Sequence, residues 1–373
     1  MRIGVPREIK DGERRVGLTP DGALSLTRAG HEVRVEHGAG AAVGFADDAY
    51  AHAGAALGDT AAVWQCECVV KVKELQRPEY GRLARGQIVF GFAQLNRDAA
   101  LLDAVLAAGI RAIGYELVED AQGRRPLLAP MSRIAGRLAP LIGARLQGMD
   151  QGGAGVLLPG VDAVPGAAVV VLGAGDVGRE AARIAARLGC RVLVFSRGRE
   201  RLDALAGELA AAGTPVGAFT LAASAQRFAD AVAAADVLVG AVLVPGSLSP
   251  KLVPRAMLRT MRAGSVLVDV GIDQGGIAET SRMTTLSNPT YVEEGVVHYC
   301  VANTPSLVAR TATLALTDAT LPYVHALAEQ GAEHALEADA GLSAGVLTWD
   351  GAMVHPGLAA QRNCDPVRSP WQR

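Results

Sequence analysis

The stretch Ala168-Val169-Val170-Val171-Leu172-Gly173-Ala174-Gly175-Asp176-Val177-Gly178 decides the fold. Its apolar half predicts a short buried strand that runs straight into G-x-G-x-x-G. In such a turn the first glycine makes the tight bend, the second lets the backbone approach a pyrophosphate, and the third lets helix pack on strand. The next helix offers unpaired N–H groups and a positive dipole end to phosphates. The surroundings fit: an Ala-rich helix runs from Arg179 to Leu188, Gly189 stops it, and a second strand covers Arg191 to Phe195. Gly173, Gly175, Asp176, Val177 and Gly178 are therefore the candidate cofactor-binding residues. The plain alternative is a tight βα turn in some other α/β domain.

The residues at the end of the second strand bear on which cofactor binds. An NAD site usually ends that strand with Asp or Glu, which hydrogen-bonds the ribose 2′-OH. Here the chain reads Phe195-Ser196-Arg197-Gly198-Arg199-Glu200-Arg201, and the acid is absent. A carboxylate would repel a 2′-phosphate, whereas a guanidinium offers it two parallel donors. Ser196, Arg197 and Arg201 thus favour NADP(H) over NAD(H). A solvated basic helix start is the alternative.

Composition bounds the rest. The 373 residues suffice for two domains. Lys and Arg number 36 and Asp and Glu 38, a net charge of −2, so nothing points to nucleic acid. Half the residues are apolar, but the most hydrophobic window is bounded by Asp236 and Pro245, so no membrane span is expected. Met1 to Glu8 lacks the apolar core of a signal peptide. The five cysteines are odd in number and mostly lie in apolar runs, which suits reduced residues in a cytoplasmic protein. No metal cluster is visible.

Strands and helices also alternate in the first segment. Strands are expected at Arg2–Val5, Glu32–Glu36, Cys68–Val72, Gln87–Ala93 and Ile110–Tyr115. Thr19-Pro20-Asp21 opens one helix, which Gly30 closes; Asp98 to Ala108 forms another. Further strands are expected at Asp236–Gly240, Ser265–Val270 and Val296–Val301, and helices again from about Thr311. Asp365 to Arg373, with Pro366 and Pro370, is expected to be disordered. The pattern predicts an α/β protein with two doubly wound, Rossmann-like domains and a cleft between them, the second domain beginning near Pro130.

In open α/β sheets, ligands sit beyond the carboxyl ends of the strands. That rule selects Arg15, Lys73, Gln94, Asp273 and Asn303, each in the segment that follows a predicted strand. Two cations, an acid and two amides suit a small substrate with a carboxylate and a C–N or C–O centre. Taken singly, each position reads equally as an ordinary loop residue.

These residues sit in longer recognisable stretches. Arg2-Ile3-Gly4-Val5-Pro6-Arg7-Glu8 through Thr19-Pro20 resembles the opening of alanine dehydrogenases and of the transhydrogenase α subunit. The likeness continues through Lys71-Val72-Lys73-Glu74, Leu127 to Ser132 and Gly240 to Gly246. It extends to Val268-Asp269-Val270-Gly271-Ile272-Asp273-Gln274-Gly275-Gly276 and Tyr299-Cys300-Val301-Ala302-Asn303. It spans roughly residues 1 to 355. The Lys73-Glu74 and Asp273-Gln274-Gly275-Gly276 motifs read closer to alanine dehydrogenase.

The resemblance implies interconversion of L-alanine with pyruvate and ammonia. It implies a discontinuous substrate domain (residues 1–129 and 305–373), a central Rossmann domain (130–304) and a homo-oligomer, hexamer or dimer. By position it makes Arg15 and Lys73 the carboxylate and carbonyl binders and Asp273 the acid that handles the ammonium group. Asn303 would line the nicotinamide side and Met131 the substrate, with Ser132, Val242 and Leu243 near the cofactor.

Two departures matter. Ser196 stands where the family carries its ribose-binding acid. Gln94, in Phe92-Ala93-Gln94-Leu95, stands where the family has the histidine that is its acid/base. Glutamine hydrogen-bonds but does not titrate near neutral pH. No histidine occurs between His52 and His298 to replace it locally. Ser132-Arg133 adds a smaller change, since the family usually has Ser-Glu. Deamination needs a base to activate water against the imine; reducing a preformed imine needs hydride and one proton. The expectation is an alanine dehydrogenase-like, NADP(H)-dependent oxidoreductase acting on a C=N or C=O bond beside a carboxylate, with Lys73, Asp273 and Gln94 at the reacting centre. An ordinary alanine dehydrogenase, a transhydrogenase α-like subunit and a non-catalytic NADP(H)-binding protein are the alternatives.

Overall fold

The computed structural model describes every residue except 215, 223, 243–247 and 372–373. The chain divides into two compact units. The first comprises Met1–Met131 and Val308–Arg373, the second Ser132–Leu307.

Fifteen strands are seen among the described residues. The first six are β1 (Arg2–Val5), β2 (Glu32–Glu36), β3 (Ala56–Gly58), β4 (Cys68–Val70), β5 (Ile88–Gly91) and β6 (Arg111–Gly114). Then come β7 (Ala168–Leu172), β8 (Arg191–Ser196), β9 (Gly217–Thr220), β10 (Val237–Gly240) and β11 (Val266–Asp269). The last are β12 (Thr290–Glu293), β13 (Val296–Tyr299), β14 (Val346–Trp349) and β15 (Ala352–Met353).

In the first unit the strand order is β15-β14-β6-β5-β4-β1-β2-β3. The six early strands run parallel, and the late β14 and β15 add an antiparallel edge. The chain winds outward from β1 through β2 to β3, then returns to β4 on the other side. The loops after β1 and β4 therefore flank a reversal of strand order, where α/β sheets hold their ligands. Those loops carry Arg15 and Lys73.

The second unit repeats the plan in the order β12-β13-β11-β10-β7-β8-β9, parallel except for β12. The reversal falls between β7 and β10, and the glycine loop comes directly after β7. Strand alternation builds two cores on this sheet. Val169, Val171, Val237, Val239 and Val268 face one way, with Ala181, Ala185 and Leu202 of the helices. Val170, Leu172, Leu238 and Leu267 face the other, with Phe228, Val232 and Leu258. Helices on both faces make the unit doubly wound, as the unbroken apolar strands predict.

Helix ends obey their local chemistry. Thr19 caps Pro20–Arg28 by accepting from Gly22 N–H, and Asp98 caps Ala99–Ala108, which ends at Gly109 in the left-handed region (φ +68°).

Two expectations are corrected. The tail is not helical throughout: after Ala309–Gln330 and two shorter helices, Val346–Trp349 is a fully buried strand paired with β6. A four-residue apolar run is too short for periodicity to tell strand from helix. The turn was the available signal, since Asp350-Gly351 (φ +50° and +96°) is a two-residue hairpin loop between β14 and β15. Nor is the C-terminus loose as far as Trp371. The Trp371 indole packs edge-on at 4.5 Å from Trp349 and donates Nε1–H to Ser343 Oγ at 2.6 Å. Buried aromatic area outweighs the two prolines there. No helix among the described residues is long and apolar enough to cross a membrane.

Candidate active site and cofactor cradle

The glycine loop lies in the second unit, and its three glycines differ in what surrounds them. Gly173 has φ +110°, and a Cβ there would meet the Ala241 carbonyl at 2.3 Å. A Cβ on Gly178 would lie 1.9 Å from the Gly173 carbonyl oxygen. Both are demanded by the fold. Gly175 has nothing within 4 Å of a would-be Cβ, so its glycine leaves open space at the turn. It is also the N-cap of the helix Asp176–Arg187, with no side-chain cap on the first amides. Open space over an uncapped helix start is what a pyrophosphate requires. Asp176 and Val177 form the first turn, and Gly136 of the helix Ala129–Leu146 packs on the Val177 carbonyl. Ser132 and the exposed Arg133 lie in that same helix.

Ser196 ends β8, half-buried, with Arg197, Arg199 and Arg201 after it on the surface. Arg199 is paired with Asp203 at 2.9 Å. No carboxylate occupies the strand end. Val242 comes after β10, and its carbonyl accepts from Ser249 Oγ at 3.1 Å. Leu243 lies outside the described residues.

Asp273 sits half-buried in the short turn Val270–Gln274 after β11, and Asn303 is buried after β13. Asp269, the residue before that turn, ties down the segment after it. One of its oxygens accepts from Ile277 N–H (2.7 Å) and Ser281 Oγ (2.6 Å), and burial raises its carboxyl above the usual range.

In the first unit, Arg15 is buried at 2 % exposure and paired with Glu13 through two parallel bonds of 2.8 and 2.6 Å. Its third nitrogen donates to Met131 Sδ at 2.9 Å, which brings Arg15 and Met131 together. Nothing in the sequence pattern singles out Glu13. Glu13 takes the Nε–Nη2 edge of the guanidinium and so fixes its orientation.

Lys73 is also buried, and its place is set by the strand before it. The Lys71 ammonium, 1 % exposed, reaches Glu8 at 3.2 Å and Glu79 at 3.0 Å. Burial pushes its pKa down, but the two carboxylates outweigh this and leave it above the ordinary value. Glu8, whose carboxyl burial raises, uses its other oxygen to accept from the Val72 and Lys73 amides at 2.5 and 3.2 Å. A buried ion cluster thus clamps the backbone of the candidate catalytic lysine.

Gln94 lies after β5 with φ +46°, in the left-handed region. Glu116 holds it there by accepting from the Ala93 and Gln94 amides at 3.2 and 2.7 Å. Burial raises the Glu116 carboxyl, while those amides and the nearby Lys73 charge oppose the rise. Lys73, Glu116 and Gln94 therefore form one group: an ammonium, a carboxyl and an amide. Among the described residues no cluster of His, Cys, Asp and Glu could hold a metal ion.

Comparison with known proteins places this arrangement. The alanine dehydrogenase/PNT N-terminal domain model matches residues 4–135, and the C-terminal domain model matches 139–356. An alanine dehydrogenase of Halomonas elongata is 47 % identical over 361 residues, 96 % of each chain. One of Bacillus subtilis is 44 % identical, covering 96 % of this chain and 94 % of its own. A solved L-alanine dehydrogenase superposes with a TM-score of 0.92 at 45 % identity, covering 97 % and 99 % of the two chains. A transhydrogenase from Sinorhizobium meliloti gives 0.82 at 25 % identity, covering 95 % and 100 %. With both domain models matched and these identities over nearly its full length, the chain belongs to the alanine dehydrogenase/PNT family and is an alanine dehydrogenase-like oxidoreductase.

Proposed function

We propose that this oxidoreductase uses NADP(H) and reduces a C=N bond, or a C=O bond, next to a carboxylate. The observation that carries the reading is the group Lys73, Glu116 and Gln94, which offers charge and hydrogen bonds but no imidazole. A bound nicotinamide supplies hydride. Arg15 binds the carboxylate through its Nη1–Nη2 edge, the guanidinium being oriented by Glu13 on the Nε–Nη2 edge. Lys73 polarises the carbonyl or imine and gives up a proton, and Asp273 is the acid proposed to handle the nitrogen. Gln94 orients the substrate without exchanging a proton. Activation of water for deamination loses its base, a loss worth about 10²–10⁴ in rate. Ser196, with Arg197 and Arg201 exposed beside it, supports a 2′-phosphate on the cofactor.

A second reading has an observation of its own. Identity of 47 % over 96 % of the chain to a protein called alanine dehydrogenase favours L-alanine as substrate, in an enzyme that tolerates glutamine at position 94. One assay separates the two: oxidation of NADPH and NADH with ammonia and pyruvate, then with larger 2-oxo acids and cyclic imines, against the reverse reaction on L-alanine. Robust deamination of alanine by the wild type overturns the first reading.

A further inference from the structure

Lysine is scarce in this chain. Of 36 cationic side chains only four are lysine, Lys10, Lys71, Lys73 and Lys251, and the first three lie in the loops after the neighbouring strands β1 and β4. Arginine keeps its proton at any working pH, whereas a lysine beside carboxylates and apolar walls gains and loses one. Lys71 is taken up by Glu8 and Glu79. Lys10 and Lys73 both act on Glu74.

Glu74 bonds the Lys10 ammonium through Oε1. Its Oε2 is buried and has no hydrogen-bond partner among the described residues. Together with Lys73, Glu74 lines a small cavity of about 10 Å³, room for about one water. The remaining side chains of the lining, Leu75, Phe92, Leu95, Val105 and Ile110 among them, are apolar. Between such walls two charges act on each other far more strongly than in water. Burial pushes the Glu74 carboxyl up, but the Lys73 and Lys10 charges and the Lys10 bond outweigh it and leave it below the ordinary value. The array also grades inward from solvent. The Lys10 side chain is 31 % exposed, that of Glu74 14 %, and Lys73 is buried.

We propose that Glu74 and Lys10 return a proton to Lys73 after each turnover, Glu74 passing it across the small cavity and Lys10 drawing it from solvent. This deepens the reading that Lys73 protonates the substrate, and rests on it. Hydride from NADPH joins the carbon of the C=N or C=O bond, and the Lys73 proton joins the nitrogen or oxygen, which leaves Lys73 a neutral amine. One of the charges that held the Glu74 carboxyl low is then gone, so Glu74 takes a proton from Lys10 and hands it to Lys73. Lys10, now neutral, takes its proton from a buffer acid or hydronium. Gln94 has no part in the route, because an amide exchanges no proton near neutral pH. Acting through Lys73, Glu74 and Lys10 are positioning residues.

The test uses the full chain saturated with NADPH and the acceptor reduced fastest among pyruvate with ammonia, larger 2-oxo acids and cyclic imines. K10R keeps the ion pair with Glu74 but gives up no proton. Its kcat should fall at least about tenfold, with a larger solvent deuterium isotope effect and KM unchanged, and imidazole buffer should restore part of the rate. E74Q should lose at least about as much, and E74D should recover part of it. With only four lysines, each Cε labelled with carbon-13 is followed separately by NMR, which also shows that every variant is folded. The Lys73 titration should move to lower pH in E74Q, which removes a nearby negative charge, and stay in place in K10R, which keeps it. Wild-type kcat in K10R or E74Q, a K10R loss that imidazole leaves untouched, or an unmoved Lys73 titration in E74Q overturns the proposal. If K73A abolishes turnover while K10R and E74Q run at the wild-type rate, the reading of the active site stands and the proton route alone falls. If K73A keeps a near-normal rate, or no acceptor is reduced, both fall.

Discussion

Replacing Lys71 by methionine tests the clamp beneath Lys73. The substitution keeps much of the side chain's volume and removes the charge that Glu8 and Glu79 share. Glu8 keeps the amides of Val72 and Lys73, and Glu79 keeps that of Gln76, but no cation remains for either buried carboxylate. Breaking a buried ion cluster on one side costs about 3–5 kcal/mol. The sign with pH comes from the directions of the shifts. Lys71 is raised in the folded chain, so its contribution is complete below the ordinary lysine value and fades only as pH rises through the folded value. Glu8 is raised by burial, so its ionisation costs stability as pH rises from the unfolded carboxyl value through the folded one. Without Lys71 that cost grows, and acid relieves it by protonating Glu8. The variant should be weaker by about 3–5 kcal/mol near pH 8 and by clearly less near pH 5. The three tryptophans, Trp64, Trp349 and Trp371, all belong to the first unit, so their fluorescence in urea reads this unit directly. A loss below about 1 kcal/mol, or one equally large at both pH values, refutes the reasoning.

The glycine loop separates fold from binding. Gly175→Ala should change stability by less than about 1 kcal/mol yet weaken dinucleotide binding, whereas Gly178→Ala should cost several kcal/mol because its Cβ meets the Gly173 carbonyl. Urea midpoints and cofactor fluorescence titration check both. Lys73→Ala and Asp273→Ala should each lower turnover by about 100-fold or more while cofactor binding stays near wild type; a variant with near-normal rate removes that residue from the chemistry. Gln94→His should raise NADP⁺-dependent oxidation of L-alanine, monitored by nicotinamide absorbance from neutral to alkaline pH. Unchanged or lower alanine activity counts against the role given to residue 94.

Parallel strands buried on both faces announce themselves as apolar runs, so β7 was legible residue by residue and β10 and β11 to within one residue at their ends. The glycine loop was legible because backbone geometry and phosphate binding demand glycine at fixed offsets. Short edge strands such as Ala56–Gly58 and Thr290–Glu293 carry no such signature. The candidate rim residues Arg15, Lys73 and Gln94 were selected from their place after strands. Glu13, Glu8 and Glu116 were not, because a carboxylate that grips backbone amides or a distant cation looks, in sequence, like any surface acid. Their work depends on pairings such as Glu8 with Lys71, separated by 63 residues, which only the folded sheet creates.

Cofactor choice is the most direct measurement of the central claim. Titrating the wild-type protein with NADPH and with NADH at low salt, read by nicotinamide fluorescence, should show NADPH bound about tenfold more tightly or better, since charge-assisted contacts from Arg197 or Arg201 reach only the 2′-phosphate. Ser196→Asp should reverse the order. Equal or tighter binding of NADH by the wild type contradicts the account.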